Sequence, residues 1–275
     1  MKRFISVLLL LLVSLGATPP KTTWVAIGDS ITYLNDHLDE TGHRVTKGYL
    51  TLITEKYPQV TYINKGYNGW TSVRIAEQIE KLGLVPADVY TIFLGTNDWW
   101  QGKPAGTLDD YRQNTGTGTI SGAFRVIISK LRQLNPDAQI ILMTPIQRGD
   151  FVYLTNFKNN AFGSYQAKNG QSLEQVADAI RAIGKYEHLA VADLYHKSGI
   201  TPKNVVRYKR LRDPATGDYR EYTWPGYSTV PFDPAKDEYP YPADAVNLTY
   251  DGLHPSDAGY ERIAKVLMKK WKGLK

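Results

Sequence analysis

Five short apolar runs rich in β-branched residues recur along this chain, and helical patterns separate them. They are Thr23–Ile27, Val60–Asn64, Val89–Leu94, Gln139–Thr144 and Leu189–Asp193. Their near-continuous apolarity is that of strands buried on both faces, which occur in parallel sheets. Between and after them, apolar residues recur at helical spacing over Gly48–Lys56, Thr71–Leu82, Ile120–Leu134, Ser172–Tyr186 and Ser256–Trp271. Ser172 with Gln175 has the form of a capping box, Ser256 that of an N-cap, and Asn135-Pro136 that of a helix stop. Strand–helix alternation of this kind builds βαβ units with right-handed crossovers, hence an α/β fold with helices on both faces of a parallel sheet. In such sheets ligands bind beyond the carboxyl ends of the strands, near the point where strand order reverses. The residues immediately after each strand are therefore where chemistry is expected.

At 275 residues with 42% hydrophobic composition, one large domain is expected, and nothing marks an internal repeat or linker. Lys2 and Arg3 precede the apolar run Ile5–Leu15, and small residues Gly16 and Ala17 follow. This is a signal-peptide pattern over residues 1–18, too short to span a bilayer comfortably. It leaves 19–275 as a single exported domain, periplasmic or extracellular, without a stable membrane anchor. The chain has no cysteine, which excludes disulfides, thiol nucleophiles and cysteine-ligated metals. The net charge of +6 is dispersed, so nucleic acid is not an expected partner.

Three segments interrupt the alternation. Residues 31–47 read as a polar loop. Residues 146–171 follow the fourth strand. Residues 197–250 form a long aromatic insertion, with eight aromatics from Tyr208 to Tyr241. Connections of that length are functional or disordered, and aromatic density favours packing. Anchoring to the domain is expected of most of these rings, with a few tyrosines left for substrate.

After the first strand comes Gly28-Asp29-Ser30. After the second comes Asn64-Lys65-Gly66-Tyr67-Asn68-Gly69-Trp70-Thr71, after the third Gly95-Thr96-Asn97-Asp98, and near the C-terminus Asp251-Gly252-Leu253-His254-Pro255. Singly, each has a bland reading as a cap or turn. Together they supply the parts of acyl transfer. A serine hydroxyl needs a base, for which His254 is the candidate. A base needs an orienting carboxylate, here Asp251 three residues earlier. The oxyanion needs preorganised donors, for which the N–H groups of Ser30 and Gly69 and the Asn97 amide are candidates.

These four blocks, in this order, resemble those of the SGNH or GDSL hydrolases, and the resemblance runs from about Trp24 to the C-terminal helix. It implies a three-layer α/β/α fold with a five-stranded parallel sheet in flavodoxin-like order, 2-1-3-4-5. It also implies that Asp29 supports its loop rather than touching substrate. Gly66 rivals Gly69 within its block, and block alignment favours Gly69. Trp70, Trp99, Trp100 and Arg148 are candidate substrate-lining residues because they adjoin the blocks or a strand end. Arg207, Arg210 and Arg212 read more simply as basic surface.

Asp36, His37, Asp39, Glu40 and His43 cluster without HExxH or comparable spacing, so no metal is expected. Thr115–Gly122 is glycine-rich but lacks the lysine of a phosphate loop. The expected activity is that of a serine carboxylesterase needing no cofactor. Export and the aromatic insertion favour a short acyl ester, acetyl, on a carbohydrate, small or polymeric. A lipid or phospholipid esterase is the alternative within the resemblance. A carbohydrate-binding protein on an inactive scaffold is the alternative outside it.

Overall fold

The computed structural model describes residues 20–274. The leader assigned to residues 1–18 lies outside them. In chain order the elements begin with β1 (Thr22–Gly28), α1 (Ser30–Tyr33), α2 (Tyr49–Lys56), β2 (Val60–Gly66) and α3 (Ser72–Glu77). Next come β3 (Val89–Phe93), α4 (Thr96–Trp100), α5 (Leu108–Arg112), α6 (Ile120–Leu134) and β4 (Gln139–Met143). There follow β5 (Phe151–Tyr153), β6 (Asn156–Ala161), α7 (Leu173–Tyr186), β7 (Ala190–Ala192) and α8 (Leu194–Lys197). The last are β8 (Lys209–Arg212), β9 (Tyr219–Tyr222) and α9 (Asp257–Met268).

The main sheet runs β2-β1-β3-β4-β7, and every pairing in it is parallel. With the hairpins β5–β6 and β8–β9 set aside as additions, this is the order 2-1-3-4-5. Alternate residues of β1 feed opposite faces. Trp24 and Ala26 join a core with Tyr49, Leu50 and Ile53 of α2 and Tyr260, Ile263 and Leu267 of α9. Val25 and Ile27 join a second core with α3, α6 and α7. Both faces are covered, which is why the strands read as unbroken apolar runs. Order reverses at β1, whose last residue Gly28 is paired with Gly66 of β2 on one side and Phe93 of β3 on the other. The crevice for a ligand opens there.

The caps act as their residue types dictate. Ser172 and Gln175 form a reciprocal capping box on α7, Thr119 caps α6, and the Ser256 hydroxyl accepts from Gly259 N–H at the start of α9.

Two local expectations are corrected. The helix expected over Thr71–Leu82 stops at Glu77, and Ile79–Lys81 continues as a 3₁₀ turn. Ile79 and Leu82 still reach the core, because three-residue spacing puts them on one side of such a turn. Residues 31–47 are not a plain loop. They contain α1's remainder and 3₁₀ turns at Leu34–Asp36 and Leu38–Thr41. Elements this short carry no periodicity to read. Asn35 shows what orders the segment: its Oδ1 accepts from Leu50 and Thr51 N–H, at 2.9 and 3.2 Å, and so pins the start of α2.

Most rings of the aromatic insertion anchor it to the domain. Tyr227 and Tyr241 are buried, and Tyr222, Trp224, Phe232 and Tyr239 pack against the first core. Tyr227 donates to Pro202 O at 2.9 Å, Tyr239 to Val152 O at 3.1 Å, and Tyr241 to Asp150 O. Arg210 and Arg212 pair with Glu238 and Asp237 at the surface. Among the described residues no helix is long and apolar enough to cross a membrane.

Candidate active site

Ser30 is the first residue of α1, directly beyond the end of β1. Asp29 is its N-cap: the backbone is extended there, and the carboxylate accepts from Ile31 N–H at 3.0 Å. Gly28 has to be small, since a methyl at its Cα would lie 2.0 Å from Thr32 Oγ1. That contact lets the chain turn sharply from strand to helix. Tyr260 OH donates to Ile31 O at 3.0 Å, tying α9 to the same turn.

His254 reaches Ser30 across 224 positions of sequence. Its Nε2 lies 2.8 Å from Ser30 Oγ, and its Nδ1 lies 2.6 Å from Asp251 Oδ2. Asp251 is fully buried and accepts twice more, from Leu253 N–H at 3.0 Å and His254 N–H at 2.7 Å. Those bonds wrap the segment around its own carboxylate. Gly252 makes the wrap feasible: its φ is +89°, and a methyl there would fall 1.8 Å from Asp150 O. The imidazole lies between Phe151, edge-on at 5.4 Å, and Tyr250, stacked at 5.9 Å. Only 5% of His254 is exposed. With Nδ1–H donating to the carboxylate, Nε2 is left as an acceptor toward the serine hydroxyl.

Two of the expected donors, Gly69 and Asn97, line the same cavity as Ser30. Gly69 has φ +72°, with open space where a methyl would be. Gly66 instead packs beneath α1, where a methyl would meet Tyr33 N at 2.2 Å. Gly69 and Asn97 line one cavity with Ser30 and His254, and Gly66 does not. Asn97 Nδ2 donates to Trp70 O at 3.0 Å, which orients the amide and leaves its second hydrogen uncommitted to that bond. The next residue, Asp98, is buried and gathers the start of α3. It accepts from Ser72 N–H at 2.8 Å and Ser72 Oγ–H at 2.7 Å. This bond links the Gly69 block to the Asn97 block. Burial raises the Asp98 carboxyl above its usual range, and the Ser72 bonds oppose that shift.

The cavity holds about 370 Å³. Of the four candidate lining residues, Trp100 and Arg148 lie on it. Trp99 is a correction. It is fully buried in the second core, and its Nε1–H donates to Gln171 O at 2.8 Å. Consecutive residues on a helix point about 100° apart, so α4 turns Trp100 outward and Trp99 inward. Trp70 is also outside the cavity; it stacks on Tyr67 at 4.5 Å and carries the Arg74 guanidinium at 4.3 Å.

The remaining lining was not singled out from sequence. Phe151, Tyr153, Asn159 and Ala161 come from the β5–β6 hairpin, and Glu40 and Asn68 from the first two strand-end loops. No residue of 197–250 lines it, so the tyrosines expected there for substrate do not reach it. His37 bonds through Nδ1 to Tyr33 O at 2.9 Å, and His196 is held by Asp193 and Glu174. Among the described residues no group of three or more metal-ligating side chains gathers.

The family model of the GDSL-like lipases/acylhydrolases matches residues 26–262. The chain is similar to a crystal structure of a possible lipase from Chitinophaga pinensis, with 60% identity, TM-score 0.90, and coverage of 90% of this chain and 97% of that one. A Lactobacillus plantarum protein shares the fold at 19% identity and TM-score 0.60, covering 92% of this chain and 96% of that one. So does a variant of a Geobacillus acetyl-xylooligosaccharide esterase, at 16% identity and TM-score 0.50, covering 92% and 95%. No curated protein sequence matches.

Proposed function

The chain belongs to the GDSL-like lipase/acylhydrolase family and is a carboxylic ester hydrolase, and from this premise we propose that Ser30, His254 and Asp251 form its catalytic triad. Ser30 Oγ attacks the ester carbonyl as His254 Nε2 takes its proton. Asp251 holds the ring and stabilises the imidazolium. The oxyanion is met by the N–H groups of Ser30 and Gly69 and by the Asn97 amide. Collapse expels the alcohol, which receives the proton from His254. Water, activated by the same histidine, attacks the acyl-enzyme and releases acid and Ser30. The single observation carrying this reading is the unbroken chain Ser30 Oγ–His254 Nε2 at 2.8 Å and His254 Nδ1–Asp251 Oδ2 at 2.6 Å.

The substrate is a short acyl ester, acetyl, on a carbohydrate, and the enzyme acts outside the cytoplasm. In support, the cavity volume is near the lower end for ligand sites. Glu40, Asn68, Gln101 and Asn159 on its wall suit a hydroxyl-rich alcohol. A second reading, a lipid ester, draws on the Chitinophaga relative's description as a possible lipase and on Leu34, Phe151 and Leu253 in the lining.

Hydrolysis of p-nitrophenyl esters tests both parts. Ser30→Ala should lose more than about a thousandfold in kcat with an unchanged melting temperature. A variant that keeps wild-type turnover removes Ser30 as nucleophile. Activity falling steeply beyond butyrate fits the short-acyl reading, and a profile sustained to decanoate favours the lipid ester.

A further inference from the structure

Arg148 lies five residues beyond β4 on the wall of the catalytic cavity, and it is only 2% exposed. Its guanidinium sits among three rings, with Cζ 5.6 Å from the centre of Trp99, 5.7 Å from Trp100 and 5.8 Å from Phe151. Nε–H makes one long bond to Gly149 O, at 3.4 Å. Nη2 is buried with no hydrogen-bond partner among the described residues. The two carboxylates that act on this charge are engaged elsewhere. Asp150 accepts from Lys209 Nζ at 3.0 Å, Gly163 N–H at 2.8 Å and Tyr165 OH at 2.6 Å. Asp251 is held by His254. Glu40, on the same cavity, accepts from Tyr33 OH at 2.8 Å and from Asn68 at 3.5 Å.

A buried charge without a partner is costly, and arginine cannot escape by giving up its proton. Burial lowers its pKa to about 10, with Asp150 and Asp251 opposing, so the cation persists at neutral pH. Aromatic faces offer partial compensation and leave Nη2 without a hydrogen-bond partner. A second cation reinforces the field: Lys168 Nζ stands 4.1 Å over the Trp100 ring. A planar guanidinium with an unpartnered donor in a low-dielectric wall suits a carboxylate.

We propose that Arg148 is a substrate-binding residue for a carboxylate, so that the preferred ester carries an acidic group beside the scissile bond. The proposal rests on this cavity being the site of ester hydrolysis. The carboxylate has two chemical sources. It belongs to the alcohol part, as in an acetylated uronic acid, or to the acyl part, as in a dicarboxylic half-ester.

Two substrate pairs separate the sources. One compares a mono-O-acetylated methyl galacturonoside with the matching methyl galactoside. The other compares p-nitrophenyl hemisuccinate with p-nitrophenyl butyrate. In one pair the wild-type kcat/KM ratio, acidic over neutral, should be about tenfold to a hundredfold, the range of a charged hydrogen bond. Arg148→Gln should bring that ratio near one, and Arg148→Lys should keep part of it.

A wild-type ratio near one in both pairs overturns the proposal, as does a ratio that Arg148→Gln leaves intact. If the glutamine variant does not fold, inhibition of wild-type p-nitrophenyl acetate hydrolysis carries the decision. The carboxylate probes galacturonate and succinate are then compared with neutral galactose. One of the two acids should inhibit at least tenfold more tightly, and parity of both with galactose overturns the proposal. A Ser30→Ala control keeps the questions apart. Hydrolysis that survives it defeats the catalytic reading, whereas Ser30-dependent hydrolysis with flat ratios defeats only the assignment to Arg148.

Discussion

Asp29 and Asp251 are both buried carboxylates close to His254, and their surroundings give them different tasks. Asp251 accepts three N–H bonds, one from the imidazole itself. The Asp29 carboxyl accepts from Ile31 N–H and is pushed up to about 7 by burial, with that bond and the charge of His254 working against the shift. A raised carboxyl holds its proton in the folded state where the unfolded chain has lost it. Its contribution to stability is therefore complete below about pH 4 and is lost as pH rises to about 7. Asp29→Asn keeps the capping oxygen and removes the titration. Melting temperatures between pH 4.5 and 7.5 should fall more for wild type than for this variant, and parallel curves would refute the buried-acid account. The same scale explains what single residues concealed. Ser30, Asp251 and His254 were legible because acyl transfer requires those groups together. Trp99 and Trp100 were indistinguishable, because their inward and outward directions depend on where α4 begins.

At the level of elements, Gly66 and Gly69 illustrate two uses of one residue type. Gly66 ends β2 beneath α1, and a methyl there drives into the Tyr33 backbone. Gly69 has open space and a left-handed backbone, so a methyl costs conformational strain of about 1–2 kcal/mol. Gly66→Ala should thus displace the helix that carries Ser30, lowering both thermal stability and kcat. Gly69→Ala should fold with a modest loss of stability and a lowered kcat. Denaturant midpoints beside p-nitrophenyl acetate kinetics distinguish them, and equal destabilisation would contradict the geometry. Long elements were legible from apolar period and caps, as α6 and α7 show. The β5–β6 hairpin was not, because Asn156–Ala161 is mostly polar and its pairing partner is only three residues long. Yet that hairpin supplies much of the cavity wall.

On the scale of the whole molecule, the aromatic insertion serves the site from behind. Lys209 is almost fully buried and bonds Asp150, whose carbonyl lies against Gly252 in the turn that presents Asp251 and His254. Tyr241 donates to that same carbonyl. Breaking a buried pair by removing one partner costs about 3–5 kcal/mol. Lys209→Met should therefore lower the melting temperature by about 6–20 °C, at 2–4 °C per kcal/mol for a domain of this size. A shift under about 2 °C would show that the insertion does not brace the turn.

The amino-acid order by itself determined the layered α/β architecture, since buried parallel strands must be apolar throughout and the helices covering them amphipathic. It also determined the candidate reacting groups, since few residue types can perform acyl transfer and they recur here at strand ends. The tertiary structure decided which side chains share the cavity. Burial and direction depend on contacts between residues far apart in the chain, which local spacing does not encode. Hence the aromatic insertion became a brace, a polar hairpin became a wall, and Arg148 became a buried cation with an unpartnered donor.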